Sequence, residues 1–224
     1  DEDDDLKNEF IVRRAIVPRP GMVLHMLDME QMEYRLMLDY AARFAGADQD
    51  GVFALIKKVL GGLDVHQATA DVAGCSRRDA KTVNFATLYG SGIANLAGRL
   101  GTTHQRARAI RDSIFRAAPE INILIRRATD TAEKRGFVVN WFGLRCLFPN
   151  AKFAYRAPNY LIQGGCADVV KLAMNRIRLY LEPFATRLVL MVHDELVLEG
   201  PPAEASTVVP AVKTIMETAY PSQY

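Results

Sequence analysis

Late in the chain, the stretch RLVLMVHDELVLEG, residues 187–200, places two apolar, β-prone runs on either side of His193, Asp194 and Glu195. Runs such as LVLMV and LVL are normally buried, and so short a polar break permits only a tight connection between two strands. Polar groups at that connection face solvent or a site, which makes Asp194 and Glu195 candidates. Asp28 likewise ends a short apolar strand, residues 22–27, more than 160 residues earlier. Carboxylates brought together from the ends of neighbouring strands repel unless a cation lies between them. Mg²⁺ suits such a place: it takes few carboxylate ligands and completes its shell with water and phosphate oxygens. A pair of such ions roughly 3.5–4 Å apart clamps both oxygens of an in-line phosphoryl displacement. By spacing alone, acidic residues at strand ends are equally turn residues, so both readings stand at this level.

A second pattern lies in RRDAKTVNFATLYGSG, residues 77–92, where Arg77, Lys81, Phe85 and Tyr89 recur every four residues before two glycines end the run. Four-residue steps on a 3.6-residue helix give a slowly drifting row on one face. The row has a basic end and an aromatic end, the order of phosphates, sugar and base in a nucleoside triphosphate. Taken alone it also fits a solvated basic face running into an aromatic, core-facing end.

Charge is unevenly spread. The formal net charge is only +2, with five acids among the first five residues. Residues 77–135 hold twelve Lys or Arg against five Asp or Glu, and the rest of the chain beyond the acidic start is balanced. A basic segment beside a neutral one points to a polyanionic partner. Cys75, Cys146 and Cys166 are odd in number and lack metal-ligand spacing, which argues against a disulfide framework or a zinc site and predicts buried small residues. No apolar run approaches a membrane span, and DEDDDLKNEF is unlike a signal peptide, so a cytoplasmic setting without membrane contact is expected.

Along the chain, a strand at residues 22–27 passes into a helix with Met32, Leu36 and Tyr40 on one face and Gly46 past its end. Residues 52–135 are mostly helical in pattern, punctuated by glycines and Pro119. GFVVNWFGLRCLFPN predicts a hairpin turning at Gly143, followed by a long helix after Gly164 and Gly165. The strand pair around Asp194 and a final helix over residues 205–220 complete the order. This is a split α+β domain: an antiparallel sheet with helices and an α-helical insertion in its middle.

Four segments, in order, resemble the polymerase core of family A DNA polymerases, the polymerase I family. LDMEQMEYRLMLDYA is similar to motif A, RRDAKTVNFATLYG to motif B, YLIQGGCADVVKLAM to the helix after the fingers, and VHDEL to motif C. RRAIVPRPG, DVHQATA and RGFVVNWFGLRCLFPN also resemble the family, so the likeness covers residues 8–221. It implies an acidic tail or connector at residues 1–9, a palm from residues 10–45 and 156–224, and fingers over residues 46–155. The implied activity is template-directed addition of dNTPs to a primer 3′-hydroxyl. Two Mg²⁺ ions at Asp28 and Asp194, replaceable by Mn²⁺, would assist, with Glu195 a further catalytic carboxylate.

The resemblance also assigns the helical row. Arg77 and Lys81 match residues that grip the triphosphate, Phe85 one that packs on sugar and base, and Tyr89 one at the template-side stacking position. His66 matches a histidine near the phosphates, Gln31 a nucleotide-side residue, and Glu33 a steric gate beside the sugar's 2′ position. Arg156, Asn159, Gln163 and His193 match residues at the primer terminus and nascent pair, and Arg145 one on the template side. Gly90 and Gly92 would permit a hinge.

Some positions depart from the family pattern. Met29 and Glu30 follow Asp28 where Tyr and Ser are usual, and Ala86 stands where Gly usually follows the aromatic. The short spacing between DVHQATA and RRDAK looks phage-like. No segment matches a 3′–5′ exonuclease or most of a thumb, which implies a partner chain or further domain supplying them. Primer-template DNA and dNTPs are the expected ligands. The rival reading is a catalytically silent, polymerase-derived nucleic-acid-binding module.

Overall fold

The computed structural model describes residues 15–45, 50–117 and 119–220. The acidic start with its expected tail at residues 1–9, Arg13 and Arg14 of RRAIVPRPG, and Gly46 lie outside them. In chain order come β1 (Val23–Asp28), α1 (Met32–Ala45), α2 (Asp50–Leu60), α3 (Val65–Ala73), α4 (Arg77–Leu88), α5 (Ile93–Leu100), α6 (His104–Ala117) and α7 (Pro119–Arg135). The hairpin β2 (Phe137–Val139) and β3 (Arg145–Leu147), a 3₁₀ turn (Ala151–Arg156), α8 (Ala157–Tyr180), β4 (Arg187–Val192), β5 (Glu195–Gly200) and α9 (Ala205–Glu217) follow. Among the described residues no helix is long and apolar enough to cross a membrane. The chain divides into two compact units, one from residues up to 30 and 169–221, the other from residues 31–168.

The first unit holds an antiparallel sheet in the order β1-β5-β4. Successive residues of a strand face opposite sides, yet Leu196, Val197 and Leu198 of β5 are all fully buried. Both faces of the central strand are therefore covered. The expectation that LVLMV is buried like LVL is corrected: β4 is an edge strand, and Val189, Met191 and Val192 are exposed. The buried carboxylate of Glu199 is met by Arg19, whose backbone N–H donates at 2.8 Å and Nε at 2.6 Å. The backbone hydrogen bond first, then the guanidinium, hold that carboxyl below its usual range. Glu204 accepts from the N–H groups of Ala185 and Thr186 at 2.9 Å and from the Thr186 hydroxyl at 2.6 Å, fixing the approach to β4. α9 buries Val208, Val212 and Met216, a stripe at four-residue spacing.

The second unit is mainly helical. Ala73, Val83, Ala86, Leu96, Ala97, Ala107 and Ile110 from α3 to α6 form one apolar cluster with Cys75 at its edge. α1 lies against α7, and its Leu36, Met37 and Tyr40 are buried. The predicted hairpin pairs Phe137 with Leu147 and Val139 with Arg145, and Gly143 takes a φ of 84° in its turn. Asn140 organises that turn, its Oδ1 accepting from the N–H of Phe142 at 3.0 Å and of Leu144 at 2.9 Å.

Two sequence readings change. α8 begins at Ala157 and runs through Gly164 and Gly165 instead of starting after them. A Cβ at Gly165 would stand 2.7 Å from Leu36 Cδ2, so this glycine marks the close approach of α1, not a break. Of the cysteines only Cys166 is buried; Cys75 is half-buried at the edge of the α3–α6 cluster, and Cys146 is half-buried on the two-stranded hairpin.

Gly200 tests the packing of the first unit. An added Cβ there would lie 2.0 Å from Thr186 Oγ1 and 3.0 Å from Thr186 Cα, backbone that Glu204 holds in place. Gly200→Ala should lower stability by about 2 kcal/mol, the usual scale of overpacking, seen as a lower urea midpoint at unchanged slope. A parental midpoint would show that this end of the sheet yields freely.

Candidate active-site residues

The acidic cluster of the first unit comes from sheet register. Asp28, the last residue of β1, lies opposite Glu195, the first of β5, and Val192 pairs with Glu195 across the β4–β5 turn. His193 and Asp194 are thus the two central residues of a tight hairpin. Only His193 has positive φ, 58°, the pattern of a turn that usually places glycine first. Holding a histidine there costs on the order of 1 kcal/mol and fixes the direction in which Asp194 follows. Met29 N–H donates to the Asp194 carbonyl at 3.3 Å, tying the end of β1 to the turn.

The Asp28 side chain is solvent-exposed, but protein packed round its carboxyl raises its pKa. The charges of Asp194 and Glu195 and a hydrogen bond with Asp194 raise it further, and the Met29 N–H only partly offsets them. Among the described residues no group of three or more His, Cys, Asp or Glu side chains is set to hold a metal. The Asp28–Asp194 pair nevertheless fits a divalent ion: two hard oxygen donors share one charge-crowded place, the ligand chemistry of Mg²⁺ and Mn²⁺.

The nucleotide candidates belong to the second unit. Asp64 caps α3, its Oδ1 accepting from the N–H groups of His66 at 2.9 Å and Gln67 at 3.1 Å. Its Oδ2 pairs with Arg77 Nε at 2.7 Å. Partial desolvation pushes the Asp64 carboxyl up, but the bonds from Arg77, Gln67 and His66 outweigh it and hold the carboxyl low. Arg77 is therefore engaged with a helix cap. With the two side chains 53% and 40% exposed, the pair is worth about 1 kcal/mol or less, so a polyphosphate can displace it. Lys81, one turn on, is exposed. Sequence reading missed Asp64, although an Asp two residues before the histidine of DVHQATA is an N-cap signal.

The aromatic end of the row is continuous. The His66 and Phe85 rings lie 5.7 Å apart and the Phe85 and Tyr89 rings 5.9 Å. Tyr89 is the C-cap of α4, just past its last helical residue. Its hydroxyl donates to the Glu33 carboxylate, 3.1 Å from both oxygens, and accepts from Gln163 Nε2 at 3.2 Å. Burial, then the Glu33 charge, push the Tyr89 phenol up to about 12. Three candidates separated in sequence thus meet in one polar knot at the C-terminal end of α4. Gln31 holds a positive φ of 53° immediately before α1, and Glu33 stands in that helix's first turn.

Beside the knot is a cleft of about 590 Å³. Its walls include Tyr89, Ser91, Arg99, Arg156 and Asn159, and the buried Asn159 Oδ1 has no hydrogen-bond partner among the described residues. Gly90 has a φ of +67°, and a Cβ on it would lie 2.8 Å from the Tyr155 carbonyl oxygen. Gly92 caps α5 in an extended conformation open to any residue, so positive φ belongs to Gly90 alone of the two expected hinge glycines. Arg156 stacks 4.8 Å from the Phe153 ring. Arg145 does not join these residues; it lies on the hairpin, 4.3 Å over Phe137.

The family model for DNA polymerase family A matches residues 5–223. A thermostable DNA polymerase I of Thermus thermophilus is 34% identical over 230 positions, covering 95% of this chain and 27% of that protein. A DNA polymerase of Mycobacterium phage L5 is 30% identical over 210 positions, covering 94% of this chain and 33% of that one. The Thermus alignment is longer than this chain, so that relative carries residues absent here. The POL domain of Pol1 from M. smegmatis, solved in complex with DNA primer-template and dNTP, superposes with a TM-score of 0.83 at 28% identity, covering 94% of this chain and 39% of that one. The chain spans about a quarter to a third of the length of the curated relatives cited here.

A double-mutant cycle on Tyr89→Phe and Glu33→Gln should give a coupling energy of about 1–2 kcal/mol, as expected for a hydrogen bond to a charged acceptor. The phenol must be protonated to donate, and at about 12 its pKa keeps it so; the coupling should persist at pH 10. Additive losses of stability would mean the bond is not formed in solution.

Proposed function

This chain belongs to DNA polymerase family A, and from that premise we propose that it is the catalytic core of a template-directed DNA polymerase adding dNTPs to a primer 3′-hydroxyl. The observation that carries the reading is the meeting of the Asp28 and Asp194 carboxyls at one end of the sheet. Palm segments 10–45 and 156–224 and fingers 46–155 are the division we assign. Asp28 and Asp194 would hold two Mg²⁺ ions, replaceable by Mn²⁺. When bound, these supply Lewis-acid activation of the primer hydroxyl and charge stabilisation for the departing pyrophosphate.

The residues of this chain do the rest. Arg77 exchanges Asp64 for triphosphate oxygens, and Lys81 adds a second cation to the same group. Phe85 offers a flat face to sugar and base. Tyr89, held by Glu33 and Gln163, occupies the template-side position until a nucleotide displaces it. Glu195 and Gln31 act beside the metal pair and the nucleotide respectively. Arg145, Arg156, Asn159, Gln163 and His193 contact primer-template DNA. The silent-module reading is disfavoured because both carboxylates and both cations are present. A thumb or exonuclease would come from a further domain or partner. DNA affinity of this chain alone should be low and fall steeply with salt. A bacterial or phage-infected cytoplasm is the setting we assign.

Primer extension at low salt, with Mg²⁺ or Mn²⁺, tests the reading. Asp28→Ala and Asp194→Ala should each cost on the order of 10³-fold or more in rate. A folded Asp194→Ala variant extending at the parental rate would remove it. Glu33→Ala should admit ribonucleotides, while impairing dNTP use less than Asp28→Ala does, because it opens the space a 2′-hydroxyl must enter. Single-nucleotide insertion of dNTP and rNTP measures this; an unchanged preference moves the gate to Phe85.

A further inference from the structure

Thr69, Asn84 and His66 form a polar chain between α3 and α4, and where the Thr69 proton lies sets its direction. The Thr69 hydroxyl has a single proton. It lies 2.8 Å from the Val65 carbonyl, one helical turn back, and 3.3 Å from Asn84 Oδ1, so the shorter bond takes the proton. Thr69 Oγ1 is then an acceptor, and Asn84 Nδ2 at 3.1 Å is nearer to it than Oδ1 at 3.3 Å, which favours the amide with its NH₂ on that side. The second amide proton meets His66 Nδ1 at 3.0 Å. A neutral imidazole whose Nδ1 accepts carries its own proton on Nε2.

Buried surroundings make the arrangement strict. His66 and Asn84 are 8% and 9% exposed, so a donor facing a donor there would cost the full desolvation of an unmet group. The charged groups acting on the ring are Asp64 at the cap of α3 and Lys81 and Arg77 on α4. Desolvation lowers the His66 pKa, Asp64 raises it, and the two cations lower it again, with a net shift downward.

We propose that Thr69 and Asn84 are positioning residues, a tautomer lock that holds His66 with its proton on Nε2 as a single uncharged donor to a phosphate oxygen. The choice of ligand rests on the assignment of His66 to the triphosphate site; the lock does not. The opposite tautomer would turn a lone pair toward an anionic oxygen and repel it. With Arg77 and Lys81 supplying charge, a neutral donor adds direction without a third cation to desolvate.

Long-range ¹H–¹⁵N spectra of the histidine-labelled chain read the tautomer directly, with His66 assigned by its loss in His66→Gln. The parent ring should show the neutral Nε2–H pattern. Asn84→Leu and Thr69→Val should shift it toward Nδ1–H or a mixture, and Asn84→Asp should place a proton on Nδ1. Asn84→Leu should also weaken apparent dNTP affinity by about tenfold, the scale of one hydrogen bond to a charged group, while primer-template affinity stays parental. A parent ring in the Nδ1–H form overturns the lock, without dependence on any variant folding. An unchanged Nε2–H pattern in both Asn84→Leu and Thr69→Val overturns it as well. Adding dNTP separates the two ideas. A moved Nε2 resonance supports the phosphate ligand. A locked Nε2–H ring that dNTP leaves untouched upholds the lock and removes His66 from the triphosphate site.

Discussion

The antiparallel pairing of β1 with β5 joins residues more than 160 positions apart and sets Asp28 opposite Glu195. If the intervening chain were unfolded, closing so long a loop would cost on the order of 4–5 kcal/mol. Burying Leu196, Val197 and Leu198 contributes roughly 2 kcal/mol each, which is enough to offset that closure. The acidic cluster is thus a consequence of apolar burial. Carboxylates that repel one another are held together because the strands carrying them cannot part without exposing the core strand.

A different economy governs the helical unit. Its candidates are arranged by weak, exchangeable bonds: Arg77 on the Asp64 cap, and Tyr89 between Glu33 and Gln163. Each is polar and partly exposed, so each can be traded for a ligand at low cost. The apolar cluster beneath them, with Val83 and Ala86 on α4, keeps the helix itself intact during such trades. A rigid backbone with replaceable side-chain partners suits the nucleotide exchange proposed for this helix.

Periodicity made the row from Arg77 to Tyr89 and the strand pair around Asp194 legible, because each depends on local spacing and on apolar residues with one place to go. The glycines of α8 misled the reading: Gly165 looks like a break in one dimension and is a contact with Leu36 in three. The apolar run of β4 misled it too, since a strand's place at a sheet edge depends on its partners and not on its composition. Asp64, Asn84 and Thr69 escaped notice because an ordinary polar residue on a helix becomes informative only when its partner is known.

Local order was determined by the sequence itself: which segments are strands and helices, which residues share a face, and where carboxylates interrupt apolar runs. Those properties follow from backbone periodicity and the cost of wetting apolar groups, both of which act over a few residues. Only the tertiary structure decided the partners: that Arg77 rests on Asp64, that Tyr89 binds Glu33, and that a threonine reaches a histidine through Asn84. Hydrogen bonds are short and directional, so they exist only once packing has brought donor and acceptor within about 3 Å, and no spacing along the chain encodes that distance.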